Sequence, residues 1–313
     1  MIFFTAYPIR KNLSPEQITA IKNFKSLFVN NYFKFEPVRC LICGSWKTKL
    51  LFTNDRYNLP VNVSMCKVCG LVHESPRLRS KDMAEFYRSD LYRDIYGGLN
   101  ENFESRFEFN KEIKLDFNSY HANESFHAFV KDTGINYDSV CEVGAGGGWN
   151  LIPFINEGKA AVGYEPGERL VKLGQGHGVK LYRGFLNNIS GEFDLIFLKH
   201  VLEHLIDPVD SLKTLKHHTK RYIAVEVPGW INYVPSIQNA HLYYFTLHTL
   251  QKIFSLAGFK ALRIDYFKKN NFIVGLFEKK NESFSYDFDN QVKNILEVYY
   301  KAKLYMIPKV LFN

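Results

Sequence analysis

The sequence has no long apolar run. No stretch approaches the roughly 18 to 20 consecutive apolar residues that span a membrane. The apolar start of the chain, Met1 to Arg10, has no basic segment ahead of it and is interrupted by Pro8. This pattern differs from that of a secretory signal peptide. We therefore expect a cytoplasmic protein without a transmembrane segment.

Blocks of like charge are also absent. Forty Lys and Arg against 32 Asp and Glu leave a net charge of +8, yet the most basic runs are pairs such as Lys268-Lys269. Scattered positive charge is typical of a solvated basic surface rather than of a nucleic-acid-binding stripe. The excess suits a small anionic ligand, and we do not expect a nucleic-acid partner.

Glycine and proline are scarce enough to exclude collagen-like and low-complexity chains, with 20 Gly and 11 Pro in 313 residues. The composition is 46% hydrophobic and 23% charged, which is typical of a globular protein. At about 150 residues per domain, the length predicts two domains. The many aromatic residues, 27 Phe and 19 Tyr, predict a bulky core.

Cysteines are few, but four of the five form two C-x2-C pairs separated by 22 residues, each pair followed by glycine. The four are Cys40, Cys43, Cys66 and Cys69. Two residues between thiolates allow one tight turn to point both sulfurs at one ion, so the pattern predicts a tetrahedral, structural zinc site. The fifth, Cys141, is expected to be a buried strand residue.

The chain divides into four predicted parts. They are an N-terminal helix with the zinc-binding module (1–80), a helical connector (81–133), an α/β domain (134–280) and a C-terminal helical tail (281–313). Ser14-Pro15 is typical of the start of a helix. In the third part, short apolar runs alternate with helical patterns, which favours a mostly parallel sheet covered by helices. The basic and apolar tail, 301–313, is expected to pack against protein rather than on a membrane surface.

A glycine-rich loop follows the first strand of the α/β domain. It reads Glu142-Val-Gly-Ala-Gly-Gly-Gly148 and precedes a helix start at Trp149. Glycines let the backbone approach a ligand closely, and amides at a helix N-terminus donate hydrogen bonds to it. Glu165 ends the second strand, where α/β nucleotide folds bind ribose hydroxyls. Together these features predict a site for a nucleotide-like ligand.

A histidine cluster follows a later strand as His200-Val-Leu-Glu203-His204. It matches the H-x-x-E-H pattern of a zinc peptidase, but that motif requires one helix, whereas His200 is predicted to end a strand. Ligands bind at the carboxyl ends of strands in such sheets. Imidazole titrates near neutral pH, so His200, His204 and the later His241 are candidate general bases.

These motifs resemble those of class I S-adenosylmethionine-dependent methyltransferases. Residues 142–148 resemble motif I, Glu165 matches the ribose-binding acid, and 193–208 resembles the fourth strand and loop of the branch with an "LEH" signature. Residues 225–229 and 241–259 match that branch's later pattern. The resemblance covers about residues 120 to 280. It implies an α/β, Rossmann-like, doubly wound sheet of seven strands whose last strand is antiparallel.

The resemblance also implies two sets of site residues. The set expected to bind S-adenosylmethionine is Glu142, Gly144, Ala145, Gly146, Gly148, Glu165, Pro166 and His200. The set expected to act in catalysis is His200, Glu203, His204 and His241. A divalent ion held by this second set, as in small-RNA 2′-O-methyltransferases, is the less favoured alternative.

A four-cysteine module ahead of this domain resembles the deoxysugar C-methyltransferases and the tailoring methyltransferases of polysaccharide clusters. This implies methyl transfer to a small anionic acceptor, a nucleotide-linked or polysaccharide-precursor sugar. Two alternatives stay open: an RNA methyltransferase that contacts RNA through its zinc module, and a non-catalytic zinc-binding scaffold.

Overall fold

A computed structural model of the chain describes residues 13–89, 91–96, 126–230, 237–268 and 271–306. The predictions made for Met1 to Arg10, for the connector between 97 and 125 and for 307–313 lie outside these residues. The chain forms two compact units. Unit 1 consists of Met1–Glu101, Trp230–Phe245 and Tyr286–Asn313, and unit 2 of Asn102–Gly229 and Thr246–Ser285. The boundaries predicted at 80, 133 and 280 stay a prediction.

The described helices are α1 (Pro15–Val29), α2 (Ser80–Arg88), α3 (Leu91–Tyr96), α4 (Phe126–Asp132), α5 (Ile152–Asn156), α6 (Glu168–Gly176), α7 (Pro208–His218), α8 (Leu247–Leu256) and α9 (Phe288–Met306). The described strands are β1 (Phe35–Glu36), β2 (Thr48–Asn54), β3 (Pro60–Cys66), β4 (Val72–Glu74), β5 (Arg77–Leu78), β6 (Ser139–Val143), β7 (Ala160–Glu165), β8 (Leu181–Arg183), β9 (Phe193–Lys199), β10 (Thr219–Pro228), β11 (Tyr243–Tyr244), β12 (Lys260–Phe267) and β13 (Phe272–Glu278). None of the helices in these ranges is long and apolar enough to cross a bilayer.

Unit 2 contains a seven-stranded sheet in the order β12-β13-β10-β9-β6-β7-β8. Strands β10, β9, β6, β7 and β8 run parallel to one another, and β13 is antiparallel to both β10 and β12. This confirms the predicted α/β sheet with an antiparallel last strand. Residues 195–198 of β9 are fully buried, as expected for a strand with helices on both sides of its sheet.

Unit 1 contains a four-stranded antiparallel sheet in the order β11-β4-β3-β2 and a two-stranded sheet of β1 and β5. The larger sheet buries an apolar cluster with α9. The cluster includes Phe52, Val61, Val63, Met65, Val72, Trp230, Tyr244, Ile295 and Tyr299. The chain therefore leaves unit 2 after β10 and supplies β11 to this sheet.

Helix α1 begins where the sequence predicts. Ser14 is its N-cap, Pro15 is its first residue, and Gln17 completes a reciprocal capping box. Ile21 and Phe24 are buried on the inner face of the helix, whereas Ile18 is 41% exposed.

Candidate active site

The site lies at the carboxyl edge of the sheet in unit 2. Strand β6 pairs with β7 on one side and with β9 on the other. The chain continues from β6 to β7 toward one edge of the sheet, and from β9 to β10 toward the other edge, so the strand order reverses between β6 and β9. Ligands of open α/β sheets bind at such a switch point. The carboxyl ends of these strands carry Glu142, Glu165 and His200, three of the predicted site residues.

The glycine loop after β6 depends on backbone conformations that favour glycine. Gly144, Gly146 and Gly148 have φ angles of +71°, +56° and +78°. The amides of Gly144 and Ala145 both donate to the carbonyl of Tyr164, at 2.8 and 3.0 Å, which ties the loop to β7. A Cβ at Gly144 would lie 2.5 Å from a methyl group of Val201.

Glu165 holds two loops of this edge together. Its Oε2 accepts a hydrogen bond from the amide of Gly146 at 3.0 Å, and its Oε1 accepts one from the amide of Gly167 at 2.9 Å. A carboxylate oxygen has a second lone pair and can accept a further hydrogen bond from a hydroxyl. Pro166, the next predicted residue, is exposed beside it.

Glu142 is fully buried behind the glycine loop. Its Oε1 accepts a hydrogen bond from Asn150 Nδ2 at 2.7 Å, whereas its Oε2 has no partner among the described residues. Burial raises the pKa of Glu142 to about 8, against the opposing effects of Asn150 and the Lys199 charge. A buried carboxyl oxygen without a hydrogen-bond partner fits a ligand that carries polar groups.

His200 follows β9 in a left-handed conformation, with φ +54°. Its Nε2 lies 3.0 Å from Oε1 of Glu226 and its Nδ1 lies 3.6 Å from Oε1 of Glu203. Burial disfavours the charged imidazole, but the two carboxylates outweigh this effect and raise the pKa of His200 to about 9. At neutral pH His200 is therefore a cation that donates a hydrogen bond to Glu226, with the Glu203 carboxylate close to its other ring nitrogen.

Glu203 and His204 lie in a single 3-10 turn directly after the strand. Glu203 is fully buried, and His204 Nε2 lies 3.9 Å from its Oε1. Because His200 ends the strand region and Glu203 lies in this turn, the helix required by the peptidase motif is absent from this described segment. His241 belongs to unit 1, where it is buried and contacts the side chain of Gln238.

Three further residues belong to this edge of unit 2 and were not among the predicted site residues. Asn150 donates a hydrogen bond to Glu142. Glu226 forms an ion pair with His200, and Lys199 Nζ lies 3.5 Å from the same carboxylate oxygen, Oε1 of Glu226. One signal was available: Glu226 is a charged residue inside the apolar run Tyr222 to Val227, and a charge in a buried strand needs a partner.

The four paired cysteines lie together in unit 1. Their sulfurs are all within 4.8 Å of one another, and the Cys40–Cys69 and Cys43–Cys66 pairs are 3.4 and 3.5 Å apart. Zinc–sulfur bonds of about 2.3 Å in a tetrahedron place sulfurs roughly 3.8 Å apart. The four thiols therefore fit a tetrahedral ion.

The two cysteine turns have the same backbone hydrogen bonds. In each turn the amide of the glycine after the pair donates to the carbonyl of the first cysteine, at 2.8 Å for Gly44 and 3.0 Å for Gly70. Hydrogen bonds from Cys40, Cys69 and the amide of Val68 keep the pKa of Cys66 below the usual thiol value. A thiolate is the form that binds metal.

Residues 117–264 match the protein family described as Methyltransferase domain. No curated protein matches the chain. The matched segment is slightly less than half of the chain and contains the glycine loop, Glu165 and His200.

Several solved structures are similar to the chain. Magnesium protoporphyrin IX methyltransferase from Synechocystis PCC 6803, with bound S-adenosylhomocysteine, has a TM-score of 0.46 and 16% identity, over 64% of this chain and 100% of that one. The 1,6-didemethyltoxoflavin-N1-methyltransferase from Burkholderia thailandensis has a TM-score of 0.47 and 18% identity, over 68% and 96% of the two chains.

Proposed function

We propose that the protein transfers a methyl group from S-adenosylmethionine to a small anionic acceptor, a nucleotide-linked or polysaccharide-precursor sugar. The observation that carries the proposal is the pairing of Glu165 with the Gly146 amide beside the unpartnered Oε2 of Glu142. The acceptor class is supported by the four-cysteine cluster, which accompanies a methyltransferase domain in the sugar enzymes that the sequence resembles.

The donor is held by this chain's own groups. Glu165 accepts hydrogen bonds from ribose hydroxyls while it keeps the amides of Gly146 and Gly167 in place. Glu142 offers its unpaired Oε2 to a polar group of the ligand, and the glycine loop allows close backbone approach. When bound, S-adenosylmethionine supplies a methyl group activated by a sulfonium, so the protein's task is mainly positioning.

We assign different roles to the histidines. His200 already carries a proton at neutral pH and is held by Glu203 and Glu226, so it positions the reactants as a fixed cation. His204 lies at the same edge, is partly exposed and is not held at hydrogen-bond distance by Glu203. It is the general base that we favour, with His241 as the second candidate.

We also propose that the four cysteines bind one structural zinc ion. Four thiolates leave no open coordination position, so the ion has no place for a substrate. Its contribution is folding free energy for the small sheet of unit 1.

The test of the donor site is Gly146→Asp. We expect at least a hundredfold weaker binding of S-adenosylmethionine by calorimetry, because the left-handed backbone is strained and the new carboxylate faces the Glu165 carboxylate. The matched control is Gly158→Asp, which has a similar φ of +77° but open space around its Cβ. Undiminished binding by the Gly146 variant would contradict the site.

The acceptor class is tested by turnover. Release of S-adenosylhomocysteine is followed with UDP- and TDP-linked sugars and, separately, with small RNAs. We expect turnover with a nucleotide-linked sugar. Turnover with RNA alone would overturn the proposed acceptor while it leaves the methyl donor unchanged.

A further inference from the structure

Unit 1 contains buried acceptor atoms that have no donor. Both carboxyl oxygens of Glu74 and the Oδ1 atom of Asn239 lack a hydrogen-bond partner among the described residues. Glu74 is 1% exposed and Asn239 is fully buried. Native proteins satisfy most buried polar groups, because each unpaired group costs free energy. Unpaired acceptors in this unit therefore point to a ligand.

Glu74 lies on the apolar side of the four-stranded sheet. It is the last residue of β4 and pairs in register with Val63, a member of the apolar cluster. Its amide donates to the carbonyl of Leu242 at 2.9 Å, so the segment that precedes β11 runs along this strand end. Burial raises the pKa of Glu74 well above its usual range, opposed by the charge of Arg77.

Asn239 belongs to the same segment and is held in place by two groups. Its Nδ2 donates to the carbonyl of Pro60, and its amide donates to the hydroxyl of Tyr96 at 3.1 Å. The Tyr96 hydroxyl in turn donates to Asp55. The side chain of Asn239 is therefore fixed, and its Oδ1 has no hydrogen-bond partner among the described residues.

Asp55 is a buried carboxyl group of the same network whose oxygens both have hydrogen-bond donors. Its Oδ1 accepts hydrogen bonds from the amides of Tyr57 and Leu59, both at 2.8 Å, and its Oδ2 accepts one from Tyr96. Asp55 is 2% exposed and has three donors, whereas Glu74 is as deeply buried and has none among the described residues. The fold has satisfied one carboxyl group and has left the other free.

The chemistry of the surroundings defines the ligand class. The raised pKa of Glu74 favours its protonated form, which offers an O–H donor and an acceptor oxygen, and Asn239 offers an acceptor, so the ligand must both donate and accept hydrogen bonds. The rings of Tyr57 and Tyr96 lie 5.6 Å apart, and the Arg56 guanidinium lies 5.1 and 5.2 Å from their centroids. Hydroxyl groups on a compact ring meet these requirements, since each hydroxyl donates one hydrogen bond and accepts others.

We propose that Glu74 and Asn239 form a sugar-binding subsite of unit 1, in which they form hydrogen bonds with the hydroxyl groups of the sugar. The choice of a sugar rests on the proposed function. The existence of a ligand subsite rests on the two unpaired acceptors, and it is tested without any ligand.

The first experiment compares Glu74→Met with Asp55→Asn in the full chain without ligand. Met is close in size to Glu and suits the apolar face beside Val63, so the melting temperature should rise by about 2 to 4 °C. Asp55→Asn, a milder change, should lower the melting temperature, because it replaces the Oδ2 that accepts from the Tyr96 hydroxyl with an amide group that only donates. If Glu74→Met lowers the melting temperature as Asp55→Asn does, Glu74 is structural and the proposal is overturned.

The second experiment measures binding by calorimetry with UDP-glucose and with UDP, which lacks the sugar. We expect tighter binding of UDP-glucose and at least a tenfold loss of this advantage in Glu74→Met, with binding of S-adenosylmethionine unchanged. Equal binding of the two nucleotides, no binding of either, or an advantage that survives Glu74→Met overturns the subsite. Loss of S-adenosylmethionine binding by the unsubstituted protein would instead count against the proposed function.

Discussion

Two carboxyl groups at the same sheet edge differ in how the fold satisfies them. Glu165 accepts hydrogen bonds from two backbone amides, whereas Glu142 accepts one from Asn150 and keeps one oxygen unpaired. The sequence predicted that both residues belong to the site, because each ends a strand next to a turn. It did not predict the difference, because the donors come from other loops.

The burial of Glu142 makes the stability of the protein depend on pH. The pKa of Glu142 is raised to about 8, above its ordinary value of 4.5, so the folded chain keeps a proton that the unfolded chain releases. The free energy of unfolding therefore falls as pH rises from about 4.5 to about 8. Glu142→Gln removes the titration, so the variant should gain stability relative to the unsubstituted protein by more than about 1 kcal/mol between pH 5 and pH 8.

Urea unfolding at several pH values, without S-adenosylmethionine, measures this gap. A gap that stays constant over the range would show that Glu142 does not hold the extra proton.

Elements follow local sequence signals where those signals are strong. The apolar runs at 140–143, 194–198 and 222–227 became β6, β9 and β10 with at most three residues added at either end. Strand β8 is different: it has three residues, and only Leu181 is buried. Strand β11 is shorter still, and it exists because it pairs with β4, which lies far away in the sequence.

Helix α7 illustrates a strong local signal. Asp207 caps the helix by accepting a hydrogen bond from the amide of Asp210 at 2.9 Å, and Pro208 is the first residue. Asp207→Ala should lower the free energy of unfolding by about 1 kcal/mol, whereas Asp207→Asn, which keeps an acceptor, should retain most of it. Urea unfolding of both variants measures the cost, and equal stability of the two would contradict the cap.

At the scale of the whole molecule, the chain crosses between its two units more than once. Unit 1 is assembled from three segments, and the middle one comes from between β10 and α8 of unit 2. The four cysteines belong to only the first of these segments. A metal site there would connect two turns that are separated by 22 residues in the sequence and would add folding free energy to this small sheet.

Zinc content tests this proposal. We expect about one zinc ion per chain by elemental analysis, and Cys66→Ser should lose it and lower the melting temperature, because three thiolates hold zinc less tightly than four. Cys141→Ser is the matched control, since Cys141 is a buried cysteine in β6 of unit 2 and should leave the zinc content unchanged. Full zinc content in Cys66→Ser would exclude the four-cysteine site.

The sequence by itself determined the features that depend on neighbouring residues. Spacing of two residues set the cysteine turns, glycines set the left-handed loop after β6, and apolar runs set the strands of the parallel sheet. These signals are local, because φ angles, turns and strand periodicity are properties of a short stretch of chain.

Only the tertiary structure decided which distant groups meet. It brought Glu226 to His200, left Glu74 buried without a donor, and paired β11 with β4. The physical reason is that burial and hydrogen-bond partnership depend on strand register and packing across the unit, which no short segment encodes.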